Sequence, residues 1–190
     1  MKRVLGVDEA GRGPLAGPIA VGLVMVPEGF SVAREFRGVR DSKQLSENAR
    51  EEFYAMLRGR AKNGDVSFCV RFSHAPVIDR RGITRATENA ITRGIRFLAP
   101  SPAGVRILLD GLLRAPFEYE QTTIIGGDER IPLIALASIA AKVVRDRRMR
   151  RFDKLFPAYG FASHKGYGTS AHYQALRKYG PSDIHRLTFL

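Results

Sequence analysis

The sequence has no tryptophan, a single cysteine and no long apolar run, and it is short of acidic residues. With Cys69 alone, no disulfide can form within the chain, which suits a reducing compartment. No apolar segment approaches the ~20 residues that cross a bilayer, and the first apolar run meets Asp8 too early for a signal peptide. We therefore expect a cytoplasmic protein that does not bind membranes, with Cys69 as a small core residue rather than a nucleophile.

Basic residues dominate the charge. The 190 residues include 31 Lys and Arg against 19 Asp and Glu, a net charge of +12. Such an excess is typical of proteins that bind a polyanion, most often nucleic acid, although it can also simply keep a protein in solution. The segment "RDRRMRR" at 145–151 could contact phosphate, or it could form a solvated helix end, where the helix dipole favours cations. Charge alone does not distinguish DNA from RNA, or an enzyme from a binding protein.

The apolar pattern predicts strands and helices in alternation. Short runs rich in Val and Ile predict strands at 3–8, 19–26, 66–72, 105–110 and 121–125. Helical spacing of apolar residues predicts helices at 46–62, about 76–98, about 132–152 and about 170–179. This order indicates an α/β fold with a mixed sheet flanked by helices. The length fits one domain over residues 1–190.

Four acidic side chains lie at the ends of predicted strands or just beyond them: Asp8, Glu9, Asp110 and Asp128. One acidic residue at a strand end is usually a turn former, but four of them suggest carboxylates that converge at one edge of a sheet. Converging carboxylates repel one another unless a cation lies among them, and their oxygen atoms favour Mg²⁺ or Mn²⁺. In a basic protein, this indicates phosphodiester hydrolysis with two ions ~3.5–4 Å apart.

Other reaction chemistries are less well supported. A single cysteine cannot build a zinc site, and no GxSxG elbow offers a serine nucleophile. The histidines show no close pairing such as HxxxH; they are His74, His164, His172 and His185.

The segment "GRGPLA" matches the dinucleotide fingerprint GxGxxG/A. That fingerprint needs a helix directly after it, whereas here prolines and a further strand pattern follow. Gly11 and Gly13 would instead let backbone N–H groups approach a sugar-phosphate closely, and Arg12 would add a planar donor. The alternative, a tight connection between two strands, explains the glycines but not the arginine.

Several motifs together resemble one known family. "GVDEAGRGPLAGP" closely resembles the opening motif of prokaryotic ribonuclease HII. Further segments follow in the family's order: "DSKQLS" at 41–46, "LLDG" at 108–111, "GGDERIPLIALASIAAKVVRDR" at 126–147, "HKGYGT" at 164–169 and "IHRLTF" at 184–189. The sister family, ribonuclease HIII, usually carries GTG in place of GRG, so the resemblance favours HII.

The resemblance implies a ribonuclease H-like fold with a C-terminal helical part from about residue 152. We expect the protein to be a monomer. It implies cleavage of the RNA strand in RNA–DNA hybrids, and of duplex DNA on the 5′ side of embedded ribonucleotides, leaving 3′-OH and 5′-phosphate ends. The implied metal-binding carboxylates are Asp8, Glu9, Asp110 and Asp128. The implied substrate-binding residues are Gly11, Arg12 and Gly13 at the 2′-OH, Tyr167 on the neighbouring deoxyribose, and Lys43 and Lys165 at phosphates.

The chain departs from the family pattern at a few positions. His164 replaces the usual asparagine before the tyrosine loop, which bears on how Tyr167 is positioned. Leu136 and Ala140 suggest compensated packing on a buried helix, and Thr188 replaces a serine. A basic nucleic-acid-binding module without catalysis is the alternative of a different class.

Overall fold

The computed structural model describes residues 2–39 and 44–190 and shows one five-stranded sheet. Its order is β3-β2-β1-β4-β5. The first three strands are antiparallel neighbours, whereas β1, β4 and β5 run parallel, so the predicted mixed sheet is confirmed. The strands are β1 (Arg3–Ala10), β2 (Ile19–Pro27), β3 (Ser67–Ser73), β4 (Val105–Asp110) and β5 (Glu120–Ile124).

Helices of very different length flank the sheet. The longer ones are α2 (Glu47–Lys62), α4 (Ile83–Leu98), α6 (Pro132–Leu155) and α8 (Ser170–Tyr179). The shorter ones are α1 (Val32–Glu35), α3 (Ala75–Arg81), α5 (Gly127–Arg130) and α7 (Phe161–His164), with 3₁₀ turns at Pro157–Tyr159 and Leu187–Phe189. None of the helices in the described parts of the chain is both long and apolar enough to cross a bilayer.

The single helix predicted over about 76–98 is wrong, because the structure divides it into α3 and α4 at Gly82. This glycine has φ +76°, a conformation that side chains rarely adopt. Its N–H donates to the Ile78 carbonyl at 2.8 Å and closes α3, while its own carbonyl accepts from the Ala86 N–H in the first turn of α4. An isolated glycine is often tolerated within a helix, so the pattern alone did not reveal this break.

Two hydrophobic clusters enclose the sheet. On one face α4 packs against β2 and β3, and buried residues of β1 and β4 complete a cluster to which the buried Cys69 of β3 belongs. Burial raises the pKa of the Cys69 thiol to about 11, so the expected core role fits an unreactive thiol. On the other face α6 lies directly on β1 and β2. A Cβ atom at Gly22 would come within 2.1 Å of the Ala137 carbonyl oxygen, so this glycine permits the close approach of α6.

Most arginines of the segment at 145–151 contact other parts of the same chain. Arg147 and Arg150 form ion pairs with Glu51 on α2, at 3.2 Å and 3.4 Å for the Nε–Oε1 and Nη2–Oε1 distances. Arg148 lies over the Phe72 ring at 5.1 Å, and Arg145 is buried. The segment therefore holds α2, β3 and α6 together, which neither of the two interpretations of the sequence described.

The C-terminal elements close over one end of α6. A small cluster joins Met149 of α6 to Tyr159, Phe161 and α8. Beyond α8, the Ile184 carbonyl accepts a hydrogen bond from the Gly17 N–H at 2.8 Å. The elements that follow α6, which ends at Leu155, thus contact the loop that follows β1.

Candidate active site

The sheet brings the four predicted carboxylates into one pocket. Val7 of β1 pairs in parallel register with Leu109 of β4, so the next residues, Asp8 and Asp110, lie side by side where the pairing of the two strands ends, although β1 itself continues to Ala10. Asp128 follows the end of β5 at the start of α5. Together with Glu9, these residues line a pocket of about 240 Å³.

Backbone N–H groups orient two of the carboxylates. The Gly127 N–H donates to Asp110 Oδ1 at 2.7 Å, across the turn between β5 and α5. The Glu9 N–H donates to Asp8 Oδ1 at the same distance. Gly126 lies in this turn with φ +63°, which allows the chain to reverse tightly enough to return to β4.

The pocket is electrostatically strained. Asp8 is 4% exposed, and burial, followed by the charges of Glu9 and Asp110, raises its pKa well above the usual range, against a stabilising hydrogen bond from Ser138. Burial also raises the pKa of Glu9, although the Arg12 guanidinium opposes this shift. Since grouped carboxylates disfavour their charged forms, a cation among them would relieve the strain.

The donor set suits a hard divalent cation. The pocket offers carboxylate and hydroxyl oxygens, and the described residues that line it include no histidine or cysteine. Glu9 Oε2 is buried and has no hydrogen-bond partner in the described structure. Buried polar atoms are normally paired, so this oxygen is suited to bind a metal ion. Within residues 2–39 and 44–190, however, no group of His, Cys, Asp and Glu side chains has the arrangement of a formed metal site.

Two members of the GRG segment reach this pocket. Gly11 and Arg12 line it, and Arg12 Nε lies 3.9 Å from Glu9 Oε1. Gly13 lies outside the lining, in open space. Gly11 has φ +91°, and a Cβ atom there would lie 2.0 Å from Arg145 Nε. Both the backbone conformation and the neighbouring arginine therefore require glycine at this position.

Two buried arginines, Arg145 of α6 and Arg186 near the C-terminus, donate hydrogen bonds to the loop that connects β1 to β2. This loop, residues 11–18, contains the GRG segment and is called the GRG loop. Arg145 Nε donates to one loop carbonyl at 2.9 Å, and Arg186 donates to three others at 2.6–3.0 Å. With a further contact at 3.4 Å from Arg145, the accepting carbonyls belong to Gly11, Arg12, Ala16, Gly17 and Pro18. Burial, and then the charge of Arg145, lower the pKa of Arg186 to about 9, so the side chain remains a cation at neutral pH.

Tyr167 also lines the pocket, with its side chain half-exposed. Its loop is joined to the GRG loop because the Gly166 carbonyl accepts from the Leu15 N–H at 2.9 Å. Lys165 is not among the lining residues; its ammonium donates to the Ala162 and Ser163 carbonyls. Lys43 lies outside the described residues.

A chain of neutral histidines holds the Tyr167 loop. The Ser182 N–H donates to His185 Nδ1 at 2.8 Å, so the proton of a neutral His185 ring is on Nε2. That N–H donates to His172 Nε2 at 2.9 Å. His172 Nδ1 therefore carries the other proton and donates to the Tyr167 carbonyl at 2.9 Å. Burial lowers the pKa of both rings, that of His185 to about 4, which keeps them neutral.

The unusual His164 supports the same loop. Its Nδ1 accepts from the Gly166 N–H at 3.1 Å, which places the proton on Nε2, 2.7 Å from the Tyr159 carbonyl. His164 also stacks on His172, with ring centroids 4.4 Å apart. The replacement of asparagine at this position is thus accommodated by two hydrogen bonds to the backbone.

Two pocket residues were not singled out from the sequence. Ser138 and Lys142 both line the pocket from α6. Lys142 Nζ lies 2.9 Å from Asp146 Oδ2. Their signal in the sequence is two polar residues four apart in an otherwise apolar half-helix, a spacing that puts both on one face.

Comparison with known proteins gives a consistent result. A sequence model of the family described as ribonuclease HII matches residues 5–190. The chain is 41% identical to ribonuclease HII of Syntrophotalea carbinolica over 188 residues, which cover 99% of this chain and 85% of that protein. It is 45% identical to ribonuclease HII of Geobacter metallireducens, over 98% of this chain and 83% of the relative.

Solved structures share the architecture. Ribonuclease H2 from Pyrococcus horikoshii matches with a TM-score of 0.76 at 25% identity, over 98% of this chain and 93% of that one. RNase HII in its complex with PCNA from Archaeoglobus fulgidus gives 0.79 at 24% identity, again over 98% and 93%. Bst-RNase HIII in complex with Mn²⁺ gives 0.72 at 20% identity, over 98% and 67%. The expected ribonuclease H-like fold is confirmed.

Proposed function

Because the chain belongs to the ribonuclease HII family and is therefore a ribonuclease H, we propose that it cuts duplex DNA on the 5′ side of embedded ribonucleotides, as well as the RNA strand of RNA–DNA hybrids. The observation that carries this proposal is the pocket in which four carboxylates meet the GRG loop and Tyr167. It joins groups suited to hydrolysis with groups suited to reading a sugar.

The hydrolytic half of the proposal depends on divalent cations. Asp8, Glu9, Asp110 and Asp128 would hold Mg²⁺ or Mn²⁺, and the Mn²⁺ complex of Bst-RNase HIII, a protein of the same fold, is consistent with this. Two bound ions would supply an activated water and neutralise charge on the leaving oxygen, so that hydrolysis leaves 3′-OH and 5′-phosphate ends.

The chain's own residues prepare the site for this reaction. The Gly127 and Glu9 N–H groups keep the Asp110 and Asp8 carboxylates in fixed orientations, which spares their reorganisation during the reaction. Arg12 pairs only loosely with Glu9, at 3.9 Å, and is substantially exposed. Its guanidinium is thus available to bind a substrate phosphate in a bidentate manner.

Selection of a ribonucleotide would come from the GRG loop. Arg145 and Arg186 occupy the loop's carbonyl side, and we infer that its N–H side meets the 2′-OH. A site built to bond a substrate hydroxyl can reject the analogue without it by ~10⁴–10⁵-fold. Tyr167 would pack on the deoxyribose next to the junction.

The proposal also covers the extent of the catalytic unit, its oligomeric state and the two lysines. We propose that residues 1–190 act as one catalytic unit, as a monomer, in the cytoplasm. Lys165 would reach a phosphate only by leaving its carbonyl partners, and Lys43 would contact a second phosphate.

The test compares two DNA duplexes, one all-deoxy and one with a single ribonucleotide, with the cut position mapped in Mg²⁺ or Mn²⁺. The intact protein should cut only the second duplex, on the 5′ side of the ribonucleotide. Asp8→Asn should lower the rate by ~10³-fold or more, since a lost ion removes several kcal/mol of transition-state stabilisation. It should still bind the duplex without metal.

Glu52→Gln is the matched control, because Glu52 is exposed on α2 and is not among the residues that line the pocket. It removes one carboxylate charge as Asp8→Asn does and should cut at the normal rate. Cleavage by Asp8→Asn at that rate would contradict the metal assignment. Binding without any cleavage by the intact protein would favour a non-catalytic nucleic-acid-binding module.

A further inference from the structure

A second groove, of about 460 Å³, lies between the end of β3 and helices α3 and α4. Its walls carry the exposed side chains of Arg80, Arg81, Arg93, Arg96, Asn89 and His74. Of the described residues that line it, none is an aspartate or glutamate. The groove is therefore a concentration of positive charge separate from the carboxylate pocket.

Nearby acidic residues neutralise this charge poorly. Asp79, on α3 itself, accepts hydrogen bonds from the Thr188 hydroxyl and from the Leu187 and Thr188 N–H groups. Arg96 has an ion-pair partner in Glu118, but the distance is 3.8 Å and both side chains are exposed. Such a pair contributes little in water. Besides burial, the charges of Arg148 and Arg93 lower the pKa of His74, as expected in an uncompensated positive field.

The guanidinium groups are arranged along the groove rather than scattered over the surface. Arg80 and Arg81 close the last turn of α3, while Arg93 and Arg96 lie one turn apart on α4. Arg93 Nη2 donates to the Phe72 carbonyl at 2.6 Å, which fixes one wall against β3. A concave strip of arginines with an amide at its side matches the repeating anionic oxygens of a sugar-phosphate backbone.

The groove lies on the same edge of the sheet as the carboxylate pocket. β3 runs antiparallel to β2, which runs antiparallel to β1, so β1 and β3 end at the same edge. They are two strand spacings apart, or ~10 Å. The Gly17–Pro18 end of the GRG loop lies directly beside His74. At ~3.4 Å per nucleotide along one strand, the offset corresponds to about three nucleotides.

We propose that this arginine groove binds the phosphate backbone of the substrate duplex about three or more base pairs from the scissile bond. The inference deepens the proposed function and rests on it for the identity of the ligand. The duplex would be held at two places on one sheet edge, at the carboxylate pocket and at the groove. Because the groove reads only phosphates, it would bind all-deoxy flanks as well as hybrid ones.

The test measures metal-free binding of a 30-base-pair all-DNA duplex by fluorescence anisotropy across a range of salt concentrations. Arg80→Ala/Arg81→Ala should lower the slope of log K against log salt by ~1.8 if both contacts are lost, and weaken binding ~60-fold at 0.1 M salt. Arg37→Ala/Arg58→Ala is the control with the same loss of charge. Both of its arginines are exposed on elements outside the groove, and its slope should stay that of the intact protein.

A second measurement uses cleavage of duplexes trimmed to two base pairs on one side or the other of the ribonucleotide. In the intact protein, trimming one particular side should raise KM with little change in kcat, whereas in Arg80→Ala/Arg81→Ala the same trimming should have no effect. Equal salt slopes in the two double variants, or an equal effect of trimming in all proteins, would overturn the proposal. Competition by free nucleotides with duplex affinity unchanged would also overturn it, in favour of a small-anion site. Failure of the proposed function itself would appear instead as intact binding without cleavage at the ribonucleotide.

Discussion

Replacement of Arg186 by alanine tests how the GRG loop is supported. Arg186 donates to the carbonyls of Gly17, Arg12 and Gly11 at 3.0, 2.7 and 2.6 Å, and its side chain is fully buried. Each buried carbonyl left without a partner costs ~1–3 kcal/mol. Removal of a buried cation returns part of this cost, since its desolvation penalty disappears. We expect a net loss of about 3 kcal/mol in the free energy of unfolding.

For a chain of this size, the loss corresponds to a drop of ~6–12 °C in Tm, measured by thermal denaturation at pH 7. The effect on function should be larger than the effect on stability suggests, because the loop no longer holds its N–H groups in place. A displacement of ~1 Å can cost ~10²-fold in rate. We expect kcat/KM on a duplex with a single ribonucleotide to fall by about that factor at a temperature where the variant is folded.

Two further variants make this result interpretable. Arg186→Lys keeps the charge but replaces the planar fork by a point donor, so it should recover part of the stability and little of the selectivity. Arg177→Ala removes an exposed arginine of the neighbouring helix α8 and should change neither quantity. The reasoning is refuted if the free energy of unfolding of Arg186→Ala lies within ~1 kcal/mol of that of the intact protein and the variant keeps its preference for ribonucleotides.

Two other predictions concern stability. Gly22→Ala places a Cβ atom 2.1 Å from the Ala137 carbonyl oxygen, and because that atom belongs to the backbone of α6, the variant should lose ~1–3 kcal/mol or more in urea denaturation; an unchanged midpoint would show that α6 can move away from the sheet. The pKa of His185 is about 4 in the folded protein against 6.5 for a free side chain, so the unfolded chain gains its proton first and the free energy of unfolding should fall as the pH drops from 6.5 towards 4. Allowing for screening, the loss attributable to His185 is about 1–2 kcal/mol between pH 6.5 and 5, and His185→Gln should lack it. An identical pH dependence in that variant would contradict the neutral histidine chain.

Much of the candidate site was predictable because it depends on strand ends. Asp8 and Asp110 each end a run of apolar, β-branched residues, and parallel strands end at the same edge of a sheet. The convergence of the carboxylates therefore follows from local pattern and topology. The roles of these residues, of Tyr167 and of Arg12 remain predictions that the experiments above address.

The hydrogen bonds that support the site could not be predicted from the local sequence pattern. Arg186 is 174 residues from Arg12 in sequence, and it contacts a backbone carbonyl, an atom that every residue type presents. Nothing in the sequence pairs His172 with His185, because their contact depends on how α8 and the C-terminal segment fold over α6. The arginine groove likewise exists only because β3, α3 and α4 meet.

The sequence by itself determined the strands, most of the helices, the family and the carboxylates at one sheet edge, because these follow from periodicity, residue type and motif order. Only the tertiary structure decided which of the many arginines are buried supports, which form ion pairs and which line a groove. The physical reason is that burial and hydrogen bonding to distant backbone atoms, rather than residue type, set what a guanidinium group does.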